Sequence, residues 1–209
     1  MNEFQRTDSW YQDRLGKATA SRMGDLMAQT KTGYGASRGN YMAELLIERL
    51  TGAPTEGYQS PAMLRGIELE PAALAHYCFD TDLSVDMVGF INHPRIQMAG
   101  CSPDGLVGSE GLVEIKCPTS KTHLGTLLTG KVDVAYIDQM QFQMACTGRS
   151  YCDFVSYDPH QHETMQLRII RVMRDDKAID KIELEVTQFL IDVDATVDLL
   201  RKRYMQEAA

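Results

Sequence analysis

Between Cys101 and Pro118 the chain reads C-S-P-D-G-L-V-G-S-E-G-L-V-E-I-K-C-P. Glu114 and Lys116 stand two apart in a segment, Gly111 to Cys117, with the character of a strand stopped by Pro118. Alternate strand residues share a face, so these two point one way and Ile115 points the other, into the core. Asp104 lies in a Ser-Pro-Asp-Gly turn that leads through a short hairpin loop into the same strand. Two carboxylates and a lysine brought together this way suit a hard divalent cation, which takes a few carboxylate oxygens, at times a backbone carbonyl, and keeps several waters. The ammonium can orient or help deprotonate an attacking water and offset charge on a phosphorane-like transition state. E-x-K alone is commonly a solvated strand face with a cross-strand ion pair. Here the apolar flanks Gly105-Leu106-Val107 and Leu112-Val113 draw the charges inward, where an unpaired charge is costly without a metal.

The elements that must position these residues can be read on either side. Ser9 precedes Trp10-Tyr11 and a short polar segment ending at Gly16; Thr19-Ala20-Ser21 reads as the cap of a helix from Arg22 to Ala28. Residues 30–40 are Gly/Ser-rich and basic, a surface loop. Asn40 is positioned to cap a helix from Tyr41 to Leu50, ended by Gly52 and Pro54. A further helix covers Ala62 to Phe79, with Pro71 starting its main part or kinking it. Ser84 to Ile91 and Ile96 to Cys101 read as short strands around an Asn92-His93-Pro94 turn. Beyond the E-x-K strand come helices over Lys121 to Thr129 and Val134 to Thr147. An antiparallel pair, Tyr151 to Tyr157 and Met165 to Met173, is joined by a loop holding His160 and His162. A long helix over Asp175 to Met205 carries an apolar stripe from Ile179 to Leu200. The expected fold class is α/β: helices packed on a central mixed sheet, in one domain spanning 1–209.

Composition narrows the function. The 209 residues are 44% hydrophobic with nine tyrosines, too apolar for a disordered chain. No apolar run reaches the roughly 18 residues of a membrane span, and no signal-like segment opens the sequence. Five cysteines, with no CxxC pair, fit a reducing cytoplasm better than a disulfide framework or a structural zinc site. Net charge is −8, yet residues 1–50 hold seven basic against six acidic side chains. An anionic partner would therefore meet the first quarter of the chain or a local groove.

Ser102-Pro103-Asp104 with Glu114-Ile115-Lys116 resembles the PD-(D/E)xK nuclease motif. More specifically, the chain resembles the phage lambda exonuclease family, the YqaJ-type viral recombination nucleases. Trp10, Arg14-Leu15-Gly16 and Thr19-Ala20-Ser21 are similar to that family's N-terminal W-x₃-R-x-G-x₂-T-A-S signature. Gly66 with Glu68 and Glu70 resembles its G-x₃-E helix, Gln139-Met140-Gln141 its Q-x-Q helix, and Tyr157-Asp158-Pro159 its following strand end. The likeness covers roughly residues 9–160.

The resemblance implies a restriction-endonuclease-like core and a 5′→3′ exonuclease acting on a double-stranded DNA end. It implies two ions, Mg²⁺ or Mn²⁺, held by Asp104, Glu114, the Ile115 backbone carbonyl and Glu70, with Lys116 placing the attacking water. Arg14, Ser21, Ser102 and Gln139 map onto a terminal 5′-phosphate pocket, and Gln141 is a lesser candidate. It also implies a homotrimeric ring around DNA and a single-strand annealing protein as partner; an acidic exterior can coexist with a basic channel in such a ring, for which Arg38, Lys31, Arg22 and Arg65 are the candidate lining. His93 is left between turn residue and metal ligand. Two other functions stay open from sequence: an endonuclease of restriction or repair type with the same metal core, and a non-catalytic DNA-end-binding protein.

Overall fold

The computed structural model describes residues 4–31, 33–55 and 60–205. Along the chain come α1 (Asp8–Arg14), β1 (Ala18–Thr19), a 3-10 turn (Ala20–Arg22), α2 (Met23–Leu26) and a hairpin of β2 (Gln29–Thr30) and β3 (Gly33–Tyr34). The long helices α3 (Ala36–Thr51) and α4 (Pro61–Thr81) follow, then β4 (Val85–Asp86), β5 (Ile91–Asn92), β6 (Ala99–Cys101), β7 (Gly105–Val107) and β8 (Gly111–Lys116). The last part holds α5 (Ser120–Thr129), α6 (Val134–Thr147), β9 (Tyr151–Tyr157), β10 (Leu167–Met173) and α7 (Asp176–Tyr204).

The main sheet has the order β10-β9-β8-β7-β4, and a smaller one the order β1-β6-β5. Within the main sheet only β8 and β9 are parallel, in register from Gly111 opposite Tyr151 to Lys116 opposite Ser156. A parallel pair needs a crossover, and α5 with α6 supplies it. Helices cover both faces of β8, which explains its near-continuous apolar sequence. Leu112 packs with Met140 and Met144 of α6 on one side; Val113 and Ile115 pack with Ala73 and Tyr77 of α4 on the other. Glu114 shares the α6 side with Leu112, as strand alternation requires.

Local chemistry fixes the helix ends. Ser60 accepts a hydrogen bond from Met63 N, and Pro61 occupies the first turn of α4, where its missing N–H costs nothing. Pro71 lies inside α4 without ending it. Asp133 caps α6 at Ala135 N, and Asp175 caps α7 at Lys177 N and Ala178 N. The apolar stripe of α7, from Ile179 to Val197, buries itself against α2, α3 and α6. Within that cluster Phe189 is fully buried and stacks on Tyr41 with ring centres 5.4 Å apart. Phe189→Ala is expected to lower the unfolding free energy in urea by about 3–5 kcal/mol, and a loss under about 1 kcal/mol would contradict this packing.

Several sequence expectations differ from the structure. The loop assigned to 30–40 contains the β2–β3 hairpin, and α3 begins at Ala36, so Asn40 lies inside the helix and does not cap it. Tertiary anchoring outweighs the poor local propensity: Arg38 is buried in that first turn, donates to Leu26 O at 2.8 Å, and pairs with Glu185. Its burial also removes Arg38 from the residues able to line a DNA channel. Thr19 makes no side-chain cap; Ala18–Thr19 pairs in parallel with Ala99–Gly100 before the 3-10 turn. The segment 84–101 is broken into three short strands shared between two sheets, and Ile96 lies in a turn.

Candidate active site

The end of β8 overhangs its neighbour. β7 pairs with β8 only from Gly111 to Val113, so Ile115 N has no strand partner on that side. The Asp104 carboxylate takes its place, accepting from Ile115 N at 2.6 Å. Gly105, immediately after, admits no side chain, because a Cβ would fall 2.1 Å from Val85 Cγ1. That close approach of β4 to β7 keeps the Asp104 turn against the strand.

Glu114 is almost wholly buried, and both its oxygens accept hydrogen bonds. Lys116 Nζ donates to Oε1 at 2.5 Å, Gln139 Nε2 donates to the same oxygen at 2.7 Å, and Gln143 Nε2 donates to Oε2 at 2.7 Å. Gln139 and Gln143 stand one turn apart on α6 and both face the strand. Burial works against the charge of Lys116, but the Glu114 and Asp104 carboxylates outweigh it and hold the ammonium above its ordinary range. The ring of Tyr136 lies 5.0 Å from the same ammonium.

The Asp104 carboxyl is pushed well above the usual carboxylate range, first by burial, then by the charge of Glu114 and, more weakly, of Glu70, with Lys116 opposing. Such an excess of negative charge is what a hard divalent ion relieves, and two carboxylates beside the Ile115 carbonyl suit one. Among the described residues no three His, Cys, Asp or Glu side chains converge into a closed metal cage. Glu70, on α4, instead receives Arg6 Nη2 at 2.6 Å.

The N-terminal motif arrives at the other side of the same cleft. Arg14 stacks on Trp10, 4.2 Å from its ring centre. Its guanidinium donates to Ser102 Oγ at 3.2 Å and to Thr19 Oγ1 and Ser21 Oγ at 3.4 Å. Trp10 Nε1 also donates to Ser102 Oγ, at 2.9 Å. With both acceptor positions filled, the Ser102 hydroxyl proton is free to donate. Burial lowers the Arg14 pKa from its ordinary value, the mark of a desolvated cation with no carboxylate in contact. A cleft of about 550 Å³ is lined by Arg14, Ser21, Ser102 and Gln139 together with Glu70, Asp104, Glu114, Ile115 and Lys116.

All nine site residues expected from sequence therefore share one cleft, with Gln139 turned to Glu114. Gln141 does not join them: its amide bonds Met173 O and Asp175 N, tying α6 to the turn before α7. His93 is buried, accepts from Arg95 N and Ile96 N, faces Glu183 and stacks on Phe142, so it serves its own turn and does not line the cleft. Of the channel candidates, Arg22 is held by Glu44 and Asp25, and Lys31 is exposed in the turn of the hairpin. Arg65 lines the cleft and clamps the start of α4 to Pro118 O and to the buried Asp158. Four contributors carried no role in the sequence reading: Gln143, Tyr136, Arg6 and the indole of Trp10. The i,i+4 spacing of the two glutamines was a usable signal; Arg6 offered none.

A mixed sheet covered by helices, with a carboxylate-bearing turn locked onto an E-x-K strand end, is the restriction-endonuclease-like fold. Residues 9–150 match the YqaJ-like viral recombinase domain, and the chain belongs to that family. The solved structure of LHK-Exo, an alkaline exonuclease from Laribacter hongkongensis, superposes with a TM-score of 0.89 at 50% identity, over 97% of this chain and 100% of its own. The same exonuclease in complex with dAMP gives 0.90 at the same identity and coverage. A phage-related exonuclease from Haemophilus somnus 129PT shares the fold, with a TM-score of 0.67 at 16% identity over 88% of this chain and 96% of its own. No curated protein matches the chain.

Proposed function

We propose that the chain is a Mg²⁺-dependent 5′→3′ exonuclease, with Mn²⁺ able to substitute. It resects one strand of duplex DNA from a 5′-phosphorylated end, releases 5′-mononucleotides and leaves a 3′ single strand for phage-type recombination by strand annealing. The observation that carries this is the single cleft with a guanidinium-and-hydroxyl cluster on one side and the Asp104, Glu114 and Lys116 cluster on the other. A terminal phosphate carries more charge and more acceptors than an internal diester, and an arginine fork beside hydroxyl donors suits it. Seated there, the first nucleotide would present its 3′ linkage to the carboxylates. The 50% identity to an alkaline exonuclease, and the dAMP complex formed by that relative, support the same substrate and product class.

Asp104, Glu114 and the Ile115 carbonyl would hold one ion and Glu70 a second. When bound, Mg²⁺ supplies Lewis-acid polarisation of the phosphodiester and a nucleophilic water. Gln139 and Gln143 keep Glu114 aimed, and Asp104 keeps its turn through Ile115 N. Lys116, charged through its contact with Glu114, orients the nucleophile and offsets negative charge on the phosphorus. A homotrimeric ring around the duplex and a single-strand annealing partner in the bacterial cytoplasm complete the proposal. Family resemblance supports both, and no helix among the described residues is long and apolar enough to cross a membrane.

Digestion of matched linear duplexes, 5′-phosphorylated or 5′-hydroxyl, beside a covalently closed circle tests the proposal. Mg²⁺-dependent release of mononucleotides from the phosphorylated strand, with the circle intact, is the expected result. A cut circle would make the protein an endonuclease on the same core, and end binding without cleavage would make it a non-catalytic end binder.

A further inference from the structure

The Glu70 carboxylate is partnered by a cation from the chain itself. Arg6 Nη2 donates to Glu70 Oε2 at 2.6 Å, and the two side chains are 35% and 17% exposed. Arg6 belongs to a short strap, residues 4–7, that lines the edge of the cleft before α1. The strap is moored on both sides of Arg6. Gln5 is buried and its Nε2 donates to Pro103 O at 2.9 Å and Val88 O at 3.1 Å, so the mooring point is the residue before Asp104. On the other side Thr7 caps α1, accepting from Trp10 N at 3.2 Å. Between these anchors Arg6 has φ +63°, the left-handed region that disfavours any residue with a Cβ. The two moorings hold it there and aim its side chain at Glu70.

A second, mostly apolar cavity of about 610 Å³ adjoins the cleft, and Arg6 lines both. The polar floor of this cavity includes Glu70 and Asp104, so Arg6 stands where the site concentrates negative charge. A divalent ion on Glu70 and a guanidinium within hydrogen-bond distance of the same oxygen compete for its lone pairs. They also repel one another as like charges.

We propose that Arg6 is a built-in counter-cation for Glu70 that an incoming divalent ion must displace, so that the N-terminal strap sets the concentration at which the second ion binds. The inference rests on Glu70 being a metal ligand, as proposed above. Once displaced, Arg6 remains tethered at the junction of the two cavities by Gln5.

The test is Mn²⁺ titration of the full chain without DNA, following free Mn²⁺ by electron paramagnetic resonance. Wild type is compared with Arg6→Gln, Gln5→Ala, Glu70→Gln, the Arg6→Gln/Glu70→Gln double variant and Asp104→Asn. A partly exposed ion pair of ordinary strength should weaken the competing ion about fivefold, so Arg6→Gln tightens the weaker of two sites by about that factor. Gln5→Ala, which removes one mooring but keeps the Arg6 side chain, should shift it in the same direction. Glu70→Gln should remove the weaker site, and adding Arg6→Gln to it should change nothing further. Unchanged or weaker Mn²⁺ binding by Arg6→Gln, with Asp104→Asn still losing the tighter site, overturns the role of Arg6 alone. Mn²⁺ binding indifferent to Asp104→Asn overturns the metal site, and the role of Arg6 with it.

Discussion

Lys116→Ala is expected to slow cleavage of a 5′-phosphorylated duplex by about 10³-fold or more in single-turnover assays with Mg²⁺, the range for losing a positioned charge or proton-transfer group. End binding, measured by mobility shift with Ca²⁺ replacing Mg²⁺, should stay within about twofold, because the terminal-phosphate cluster is untouched. The variant isolates the charge cleanly. Without the ammonium, Glu114 still accepts from Gln139 and Gln143 at 2.7 Å, so the carboxylate stays aimed. Glu114→Ala should also abolish cleavage, but it strips the acceptor from both glutamine amides inside the protein. Gln143 Oε1 already lacks a partner there. That variant should therefore lose about 1–3 kcal/mol of stability in urea together with its activity. Loss of less than about tenfold in Lys116→Ala would remove the lysine from the reaction.

How far this site could be read in advance depended on which periodicity carried the information. Asp104, Glu114 and Lys116 were legible because a two-residue period in an apolar strand forces Glu114 and Lys116 to one face, and the Ser-Pro-Asp-Gly turn delivers the aspartate. The long helix α7 was legible for the same kind of reason, its apolar stripe repeating every three to four residues. The Q-x-Q spacing makes Gln141 a lesser candidate beside Gln139, but a helix brings Gln139 and Gln143, four apart, to one side. The start of α3 was hidden by Gly35, Ser37, Gly39 and Asn40, weak helix formers held in place because the buried Arg38 among them is anchored to Leu26 O and Glu185, outside the helix. Arg6 was hidden more deeply. Its partner lies 64 positions away, and nothing in the local pattern distinguishes it from an ordinary surface arginine. Family resemblance linked Arg14 with Ser102 across 88 positions; the structure adds why they meet, through Trp10 bridging to the same hydroxyl.

Arg14→Ala should collapse the preference for a 5′-phosphate over a 5′-hydroxyl end by about 30-fold, the worth of one charge-assisted hydrogen-bonding group to an anion. The rate on 5′-hydroxyl ends should change by no more than about twofold, since the lost contacts are ones that such ends never make. The structure gives reasons for a large effect at this residue. Its bonds to Ser102, Thr19 and Ser21 are long, 3.2 to 3.4 Å, and none of these partners is charged, so the guanidinium keeps most of its capacity for a ligand. Burial also disfavours its charge, and an arriving dianion relieves that penalty. Arg14→Lys should recover only part of the preference, because an ammonium offers a point charge without the fork and loses the flat stacking on Trp10. Ser102→Ala should act in the same direction but more weakly, removing one neutral donor. If Arg14→Ala instead slows phosphorylated and hydroxyl ends equally, the cluster supports the fold of the N-terminal segment and recognition of the terminal phosphate lies elsewhere in the cleft.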